Sequence, residues 1–523
     1  MNKSKAVDVR RAEGKAIPYS IRRTPFLYQI ISGILLALSY PTPGWGFLAW
    51  FALVPLLASV HHAQNNSQAL GFGLISGIIS FLFSIHWLTH VSTVGWLIVV
   101  LMEAVYIMVF AWLAYVGMKS RFPTVLKVLW ITLAWTVMEF LRSEMPVFGF
   151  GWNLLAYSQS SYIQLIQIAN VLGAYGLGFL IALINAAIFY AWFDRKDRRT
   201  ALGLVAVIAL VMAGLWGYGN QVLAKPMAPQ EYLRVSAVQG NIPQSVKWEL
   251  MAKEKILEIY EKLTQLAALE QPDLIIWPEA AFPGYFNRDL QAERISRLAG
   301  ELQTPLLLGG LEWESEKESY NSAYFLNKDG SSGQRYDKLR LVPFGEYIPL
   351  KAIFGWMTPV ADALGISDFN SGVAPVIFRW AREDWPFGVL ICFEDIFSDL
   401  ARSLVERDAK FLVVITNDAW FGKTSAPFQH LQASIFRAIE NGVPVVRAAN
   451  TGISAFVSHQ GHVLATVKDG RGDETFVMGK KTLDLPLVTE GTLFGRGGYL
   501  FPYFAAALFL ILAVFVFRRN QQA

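Results

Sequence analysis

Between Pro25 and Ser120 the chain carries only two formally charged residues, Glu103 and Lys119. So apolar a stretch belongs in a lipid bilayer, where each segment must satisfy its own backbone hydrogen bonds and therefore folds as a helix. Apolar length predicts spans there at about 26–40, 45–61, 69–88 and 93–118. Three more are expected at about 124–141, 163–193 and 201–219, and an eighth at about 499–517. The first is short, and the sixth is long enough to tilt. The whole chain is 54% hydrophobic and only 16% charged, with a mean hydropathy of +0.36, which is the composition of a membrane protein. A net charge of +4 gives no case for a nucleic-acid partner.

Basic residues orient the spans. Met1 to Thr24 contains Lys3, Lys5, Arg10, Arg11, Lys15, Arg22 and Arg23. A signal peptide is the alternative, but Tyr40-Pro41-Thr42-Pro43 is a poor cleavage site and more apolar segments follow, so residues 1–24 are expected to stay as a cytoplasmic tail. Lys119, Arg121, Arg195, Lys196, Arg198 and Arg199 then fall on the same side as that tail. This predicts a seven-span membrane domain over 25–222, an extracytoplasmic domain over 223–496, and a final helix returning to the cytoplasm over 497–523.

The outer segment is α/β by pattern. Strands are predicted over 233–239, 273–277, 304–309, 322–327, 387–392, 411–416, 443–448 and 453–459, with helices over 247–269 and 427–441. Cys392 closes one strand and is the only cysteine in the chain, so an internal disulfide and a cysteine-based zinc cluster are excluded. A lone cysteine is often just a small buried hydrophobe. Here it has company. Glu279 also closes a strand, after Trp277-Pro278, and strand carboxyl ends are where α/β sheets place their sites. Lys338 lies in a polar, turn-rich segment that runs on to Glu346. A nucleophilic cysteine needs a base or a positive neighbour. His430 could pair with it, but a carboxylate and a lysine are the better-supported partners.

Trp277-Pro278-Glu279, Lys338 with Val342-Pro343-Phe344-Gly345-Glu346, and Cys392-Phe393-Glu394 resemble the Glu-Lys-Cys constellation of the nitrilase superfamily. With the spans and the flanks Gln239-Gly240-Asn241-Ile242-Pro243-Gln244 and Thr416-Asn417-Asp418-Ala419-Trp420-Phe421-Gly422, the chain resembles its membrane-embedded branch, the bacterial apolipoprotein N-acyltransferases. The resemblance implies an extracytoplasmic αββα sandwich on the periplasmic side of the bacterial inner membrane and a two-step acyl transfer without cofactor or metal. A phospholipid would be the acyl donor, and the diacylglyceryl-cysteine of an apolipoprotein the acceptor. Glu279 would be the general base, Lys338 the oxyanion partner and Cys392 the nucleophile. Glu346 would orient Lys338 or help proton transfer, and the backbone N–H of Phe393, which stands where some members carry Tyr, would help hold the oxyanion. Glu394 would be structural or substrate-facing, and Trp248 would bind substrate.

The apolar stretch after Glu346 suggests that Phe354 and Trp356 line a lipid entrance, the alternative being a short core helix. Two rival functions remain. A membrane-anchored amidase would use the same three residues with water as acceptor. A transporter would place its chemistry on Glu103 or Glu139, since ionisable groups within a membrane are functional candidates. Glu139 is expected to pair locally with Arg142.

Overall fold

Helix starts are written into the first half of the chain by short polar side chains placed before apolar runs. Asn65 Oδ1 accepts from the Gln68 N–H at 3.0 Å, Ser92 Oγ from Gly95 at 3.0 Å, and Asp197 from Arg199 and Thr200. The computed structural model describes residues 25–193, 197–225, 229, 231–351, 368–380, 385–488 and 491–521. The basic arm 1–24, Phe354 and Trp356 lie outside the described residues. The helices are α1 (Pro25–Leu38), α2 (Val54–His62), α3 (Asn66–Ser84), α4 (Thr93–Lys119), α5 (Thr124–Glu144), α6 (Ile163–Ile166), α7 (Ala169–Phe193) and α8 (Arg198–Leu223).

Among the described residues six helices are long and apolar enough to cross a bilayer, the last being Gly498–Val516. The first two expected spans are shorter apolar pieces, Leu27–Leu38 and Gly46–His62. The expected span at 163–193 is broken. It divides into α6 and α7, and Gly173 interrupts α7 at φ 68°. A Cβ there would meet the Phe494 ring at 2.6 Å, and the Ala174 N–H beyond the break donates to Glu440 Oε1 at 2.9 Å. A second correction concerns Arg142. Its ion pair is with Glu103 of α4 at 2.8 Å, whereas Glu139 accepts the Leu155 N–H at 2.6 Å. Arg142 also donates to the carbonyls of Phe150, Trp152 and Asn153, so the intramembrane carboxylates serve to fasten a loop.

The polar segment folds as two stacked sheets. Its elements are β1 (Glu231–Gln239), α9 (Leu250–Ala268), β2 (Leu274–Ile276), α10 (Gln291–Leu302), β3 (Leu306–Ser315), β4 (Glu318–Leu326), β5 (Ser332–Asp337), β6 (Ile377–Phe378), β7 (Phe387–Ile391), α11 (Ser398–Glu406), β8 (Phe411–Thr416), α12 (Ala426–Asn441), β9 (Val445–Ala449), β10 (Ala455–Val457), β11 (Val463–Thr466) and β12 (Gly479–Leu487). Helix α13 (Phe501–Gln521) follows. One sheet runs β12-β1-β2-β3-β4-β5 and the other β11-β10-β9-β8-β7-β6. Each has a parallel centre, β1-β2-β3 or β7-β8-β9, with antiparallel flanks. Alternate residues such as Leu233, Val235, Phe387, Val389 and Ile391 meet between the sheets. The opposite face of the first sheet buries Val238, Ile275 and Leu308 under α9 and α10. These strands are buried on both faces, which is why they read as continuous apolar runs.

The outer face of the second sheet has no aqueous boundary. Leu390, Leu412 and Val414 share one apolar cluster with α11, α12 and the membrane helices. Helix α12 is consequently buried along nearly its whole length, with sheet on one side and membrane helices on the other. Gln429 is its main polar tie. The indole N–H groups of Trp87 and Trp152 donate to Gln429 Oε1 at 3.0 and 2.9 Å, and its Nε2 donates to the carbonyls of Pro41 and Ser84 at 2.7 and 2.9 Å. Replacing Gln429 by Leu should lower the thermal midpoint of the protein in detergent, since each polar group left unpaired costs about 1–3 kcal/mol. An unchanged midpoint would mean that this side chain does not hold the two halves together.

Candidate active site

Strand exits from both sheets converge at one end of the sandwich. Glu279 follows β2, and its turn is fixed from below by Trp277, whose indole N–H donates to Thr264 Oγ1 at 2.7 Å. Gly309 of β3 makes room for that turn, because a Cβ there would lie 2.6 Å from Glu279 Cα. Lys338 immediately follows β5, and Asn417 follows β8. Cys392 leaves β7 with φ 53°, a left-handed turn that lifts it off the strand at the carboxyl edge. Partly exposed, it caps the inter-sheet core.

The three predicted catalytic residues are brought together. Lys338 is 1% exposed, with Nζ 2.9 Å from Glu346 Oε1 and 3.5 Å from Glu279 Oε1. Burial alone would pull the ammonium down, but Glu346 and Glu279 overcome it and hold Lys338 above the usual lysine range. Asn321 Nδ2 donates to both carboxylates, at 2.8 Å to Glu279 and 2.9 Å to Glu346. The backbone N–H of Asn417 donates to Glu279 Oε2 at 2.8 Å, and that of Val342 to Glu346 Oε2 at 2.8 Å. Burial, then the Glu279 charge, pushes the Cys392 thiol well above its ordinary range, against the pull of Lys338. Cys392 therefore rests as a thiol, with Glu279 and Lys338 acting on it.

Glu394 is fully buried and faces protein. It accepts from Ile391 N–H at 2.7 Å, Leu339 N–H at 2.6 Å, Arg340 N–H at 3.1 Å and Tyr336 Oη–H at 2.8 Å. One carboxylate thereby pins the Cys392 turn to the segment leaving Lys338. His430 does not reach the thiol through any of its hydrogen bonds. Its Nε2 is 3.2 Å from the Cys392 carbonyl oxygen, and its Nδ1 lies against Arg447 and Asp418. Burial works against the Asp418 anion, but His430 and Arg447 outweigh it and bring its carboxyl down to about 2.

Phe393 packs on Phe397 and stacks on Phe150, a residue of the loop that Arg142 fastens, with centroids 6.4 Å apart. A cleft of about 410 Å³ runs along this seam between the two halves, walled by apolar residues such as Met145, Leu339 and Phe393 and by the charged Lys317, Arg340 and Asp368. Trp248 is 48% exposed, its ring 5.9 Å from Lys247 Nζ. Asn321, Lys247 and Gln429 escaped sequence reading because nothing in the local pattern separates a buried polar residue from an exposed one. Asn417 lay within a recognised flank, yet its contribution is a backbone N–H, which no side-chain pattern encodes.

Residues 32–187 match the family model of the apolipoprotein N-acyltransferase N-terminal domain, and residues 234–490 match that of carbon-nitrogen hydrolases. The chain is 34% identical over 519 residues to the apolipoprotein N-acyltransferase of Geobacter metallireducens, covering 96% of this chain and 97% of the relative. It is 32% identical over 469 residues to the protein of that name from Haemophilus influenzae, covering 84% and 86%. Sequence, fold and relatives agree: this chain belongs to the apolipoprotein N-acyltransferase family, a membrane branch of the carbon-nitrogen hydrolases.

Proposed function

We propose that the protein moves a fatty acyl chain from a phospholipid to the α-amine of a diacylglyceryl-cysteine at an apolipoprotein N-terminus, through a thioester on Cys392. One observation carries the reading. The chain's only thiol stands on a left-handed turn beside a buried carboxylate–ammonium pair, in a domain whose outer helix layer is packed into apolar membrane helices.

In the first half-reaction Glu279 takes the Cys392 proton as sulfur attacks the donor ester carbonyl. The N–H groups already held on Glu279 fix its aim for that transfer. Lys338, kept cationic by Glu346, stabilises the developing oxyanion. Collapse breaks the ester C–O bond, and Glu279 passes the proton to the departing lysophospholipid oxygen. In the second half-reaction the acceptor nitrogen attacks the thioester, forming the amide and restoring the thiol. Water would give an amidase-like outcome, but the near full-length relatives are named acyltransferases, and the outer helix layer of the domain packs on apolar membrane helices, which supports an acyl acceptor other than water. We divide the chain accordingly into a tail, 1–24, a membrane domain, 25–222, a catalytic domain, 223–496, and a final helix, 497–523. Phe354 and Trp356 remain the proposed lipid entrance, and Trp248 a substrate contact.

The catalytic domain is assigned to the periplasmic face of the inner membrane. Support comes from the connections that meet it, around Pro41, Ser84 and Trp152, none of which carries a Lys or Arg, while Lys119, Arg121, Arg198 and Arg199 lie at the other helix ends. In a Cys392→Ala background, cysteine at Lys423 should react with a membrane-impermeant thiol reagent in intact spheroplasts and cysteine at Gln64 should not. The reverse pattern would overturn the assignment.

Incubation with labelled phospholipid should leave a hydroxylamine-sensitive acyl label on the wild-type protein and none on Cys392→Ala. Glu279→Gln should slow label formation by ~10²–10⁴-fold, and Lys338→Met by ~10²–10³-fold. Normal labelling of Cys392→Ala would end the covalent mechanism, and normal labelling of either other variant would remove that residue from its role.

A further inference from the structure

Counting protons in the second half-reaction leaves one without an acceptor. An α-ammonium enters with three protons on nitrogen, and the amide keeps one. Glu279 can take a second and return it to the departing sulfur. The third must go elsewhere before nitrogen has a lone pair to attack with, because an ammonium is not a nucleophile.

The site contains a lysine that the first half-reaction does not use. Lys247, in the segment between β1 and α9, is 2% exposed. Its Nζ donates to the backbone carbonyl of Glu279 at 3.1 Å, so it stands directly behind the general base. Lys338 takes the Glu279 and Glu346 carboxylates, and among the described residues no carboxylate pairs with Lys247. Its surroundings are Trp248, whose ring lies 5.9 Å away, and the two titratable groups that act on it, Glu279 and Cys392.

We propose that Lys247, as a neutral amine, takes the first proton from the incoming α-ammonium, while Glu279 takes the second. This rests on the thioester mechanism above. The step balances. The ammonium N–H bond breaks and its proton moves to Lys247 Nζ. The freed lone pair forms the C–N bond, and the C–S bond of the thioester breaks. The second nitrogen proton passes through Glu279 to Cys392 Sγ, and Lys247 later releases its proton to water.

Environment supports the division of labour. Burial, opposed less strongly by Glu279 and Cys392, lowers Lys247 to about 8, close to the ordinary range of an α-amine, whereas Lys338 is driven the other way. Two lysines pushed apart by their surroundings mark a permanent cation and a proton acceptor.

The test separates the two half-reactions on the full-length protein. Acyl label formation from phospholipid is timed first, then its discharge to a synthetic diacylglyceryl peptide across pH 6 to 10. Lys247→Met should lose more in discharge than in labelling, by up to ~10-fold at pH 7, where solvent leaves roughly a tenth of an α-amine of pKa ~8 unprotonated. The deficit should shrink toward pH 10, where solvent deprotonates the acceptor amine. Lys247→Arg retains the cation and a donor for the Glu279 carbonyl, but stays protonated, so it should discharge as slowly as Lys247→Met. Rapid discharge by Lys247→Arg, or a Lys247→Met deficit equal in both steps or constant with pH, would overturn the proposal. A wild-type protein that forms no label would instead overturn the thioester mechanism itself.

Discussion

An ammonium taken out of water must be surrounded by acceptors, and each acceptor carboxylate must in turn find donors. Around Lys338 this demand reaches through most of the catalytic domain. Glu279 comes from the exit of β2, Glu346 from the loop beyond β5, and Asn321 from β4. The Asn417 N–H comes from the other sheet. Removing one partner from such a buried group typically costs ~3–5 kcal/mol, so the stacking of the two sheets and the charge state of the site hold each other in place. Glu394 extends the same logic to Cys392 by tying its turn to the segment that carries Lys338.

The second dependence runs through α12. In a soluble two-sheet domain, the outer helices would turn a polar face to water. Here the outer helix turns it to the membrane half, and the polar residues it carries there are satisfied one by one. Gln429 answers two indoles and two carbonyls, Gln432 donates to Ser160, and Glu440 caps the broken helix at Ala174. The Glu103–Arg142 pair belongs to this joint as well. It fastens the carbonyls of Phe150, whose ring stacks on Phe393, and of Trp152, whose ring tilts against His430, both beside Cys392. Charges inside the membrane half thus shape an acyltransferase site, which removes the main reason to read them as a transport path.

Much of this was legible in the sequence because it depends on local pattern. Apolar length announces helices, β-branched runs announce buried strands, and motifs at strand ends announce Glu279, Lys338 and Cys392. Strands β5, β6, β11 and β12 were not legible. They are short or polar, as in the Ser332–Asp337 stretch, and they exist because a partner strand supplies their hydrogen bonds. Strand β12 pairs along all of β1 across more than two hundred intervening residues, and no local period encodes that.

By itself, then, the sequence determined which half enters the bilayer and the α/β character of the other half, and it singled out Glu279, Lys338 and Cys392 as the candidate residues. Those follow from composition and from chemistry that only certain side chains can perform. The tertiary structure decided which charges pair, since Arg142 chose Glu103 on another helix over Glu139 one turn away. It also decided that Lys247 and Lys338, equivalent as letters, stand in opposite environments: one is flanked by two carboxylates and the other meets a backbone carbonyl. The physical reason is common to both cases. Electrostatic energy in a buried site depends on distance and desolvation, and these are fixed only when elements far apart in the chain are packed together.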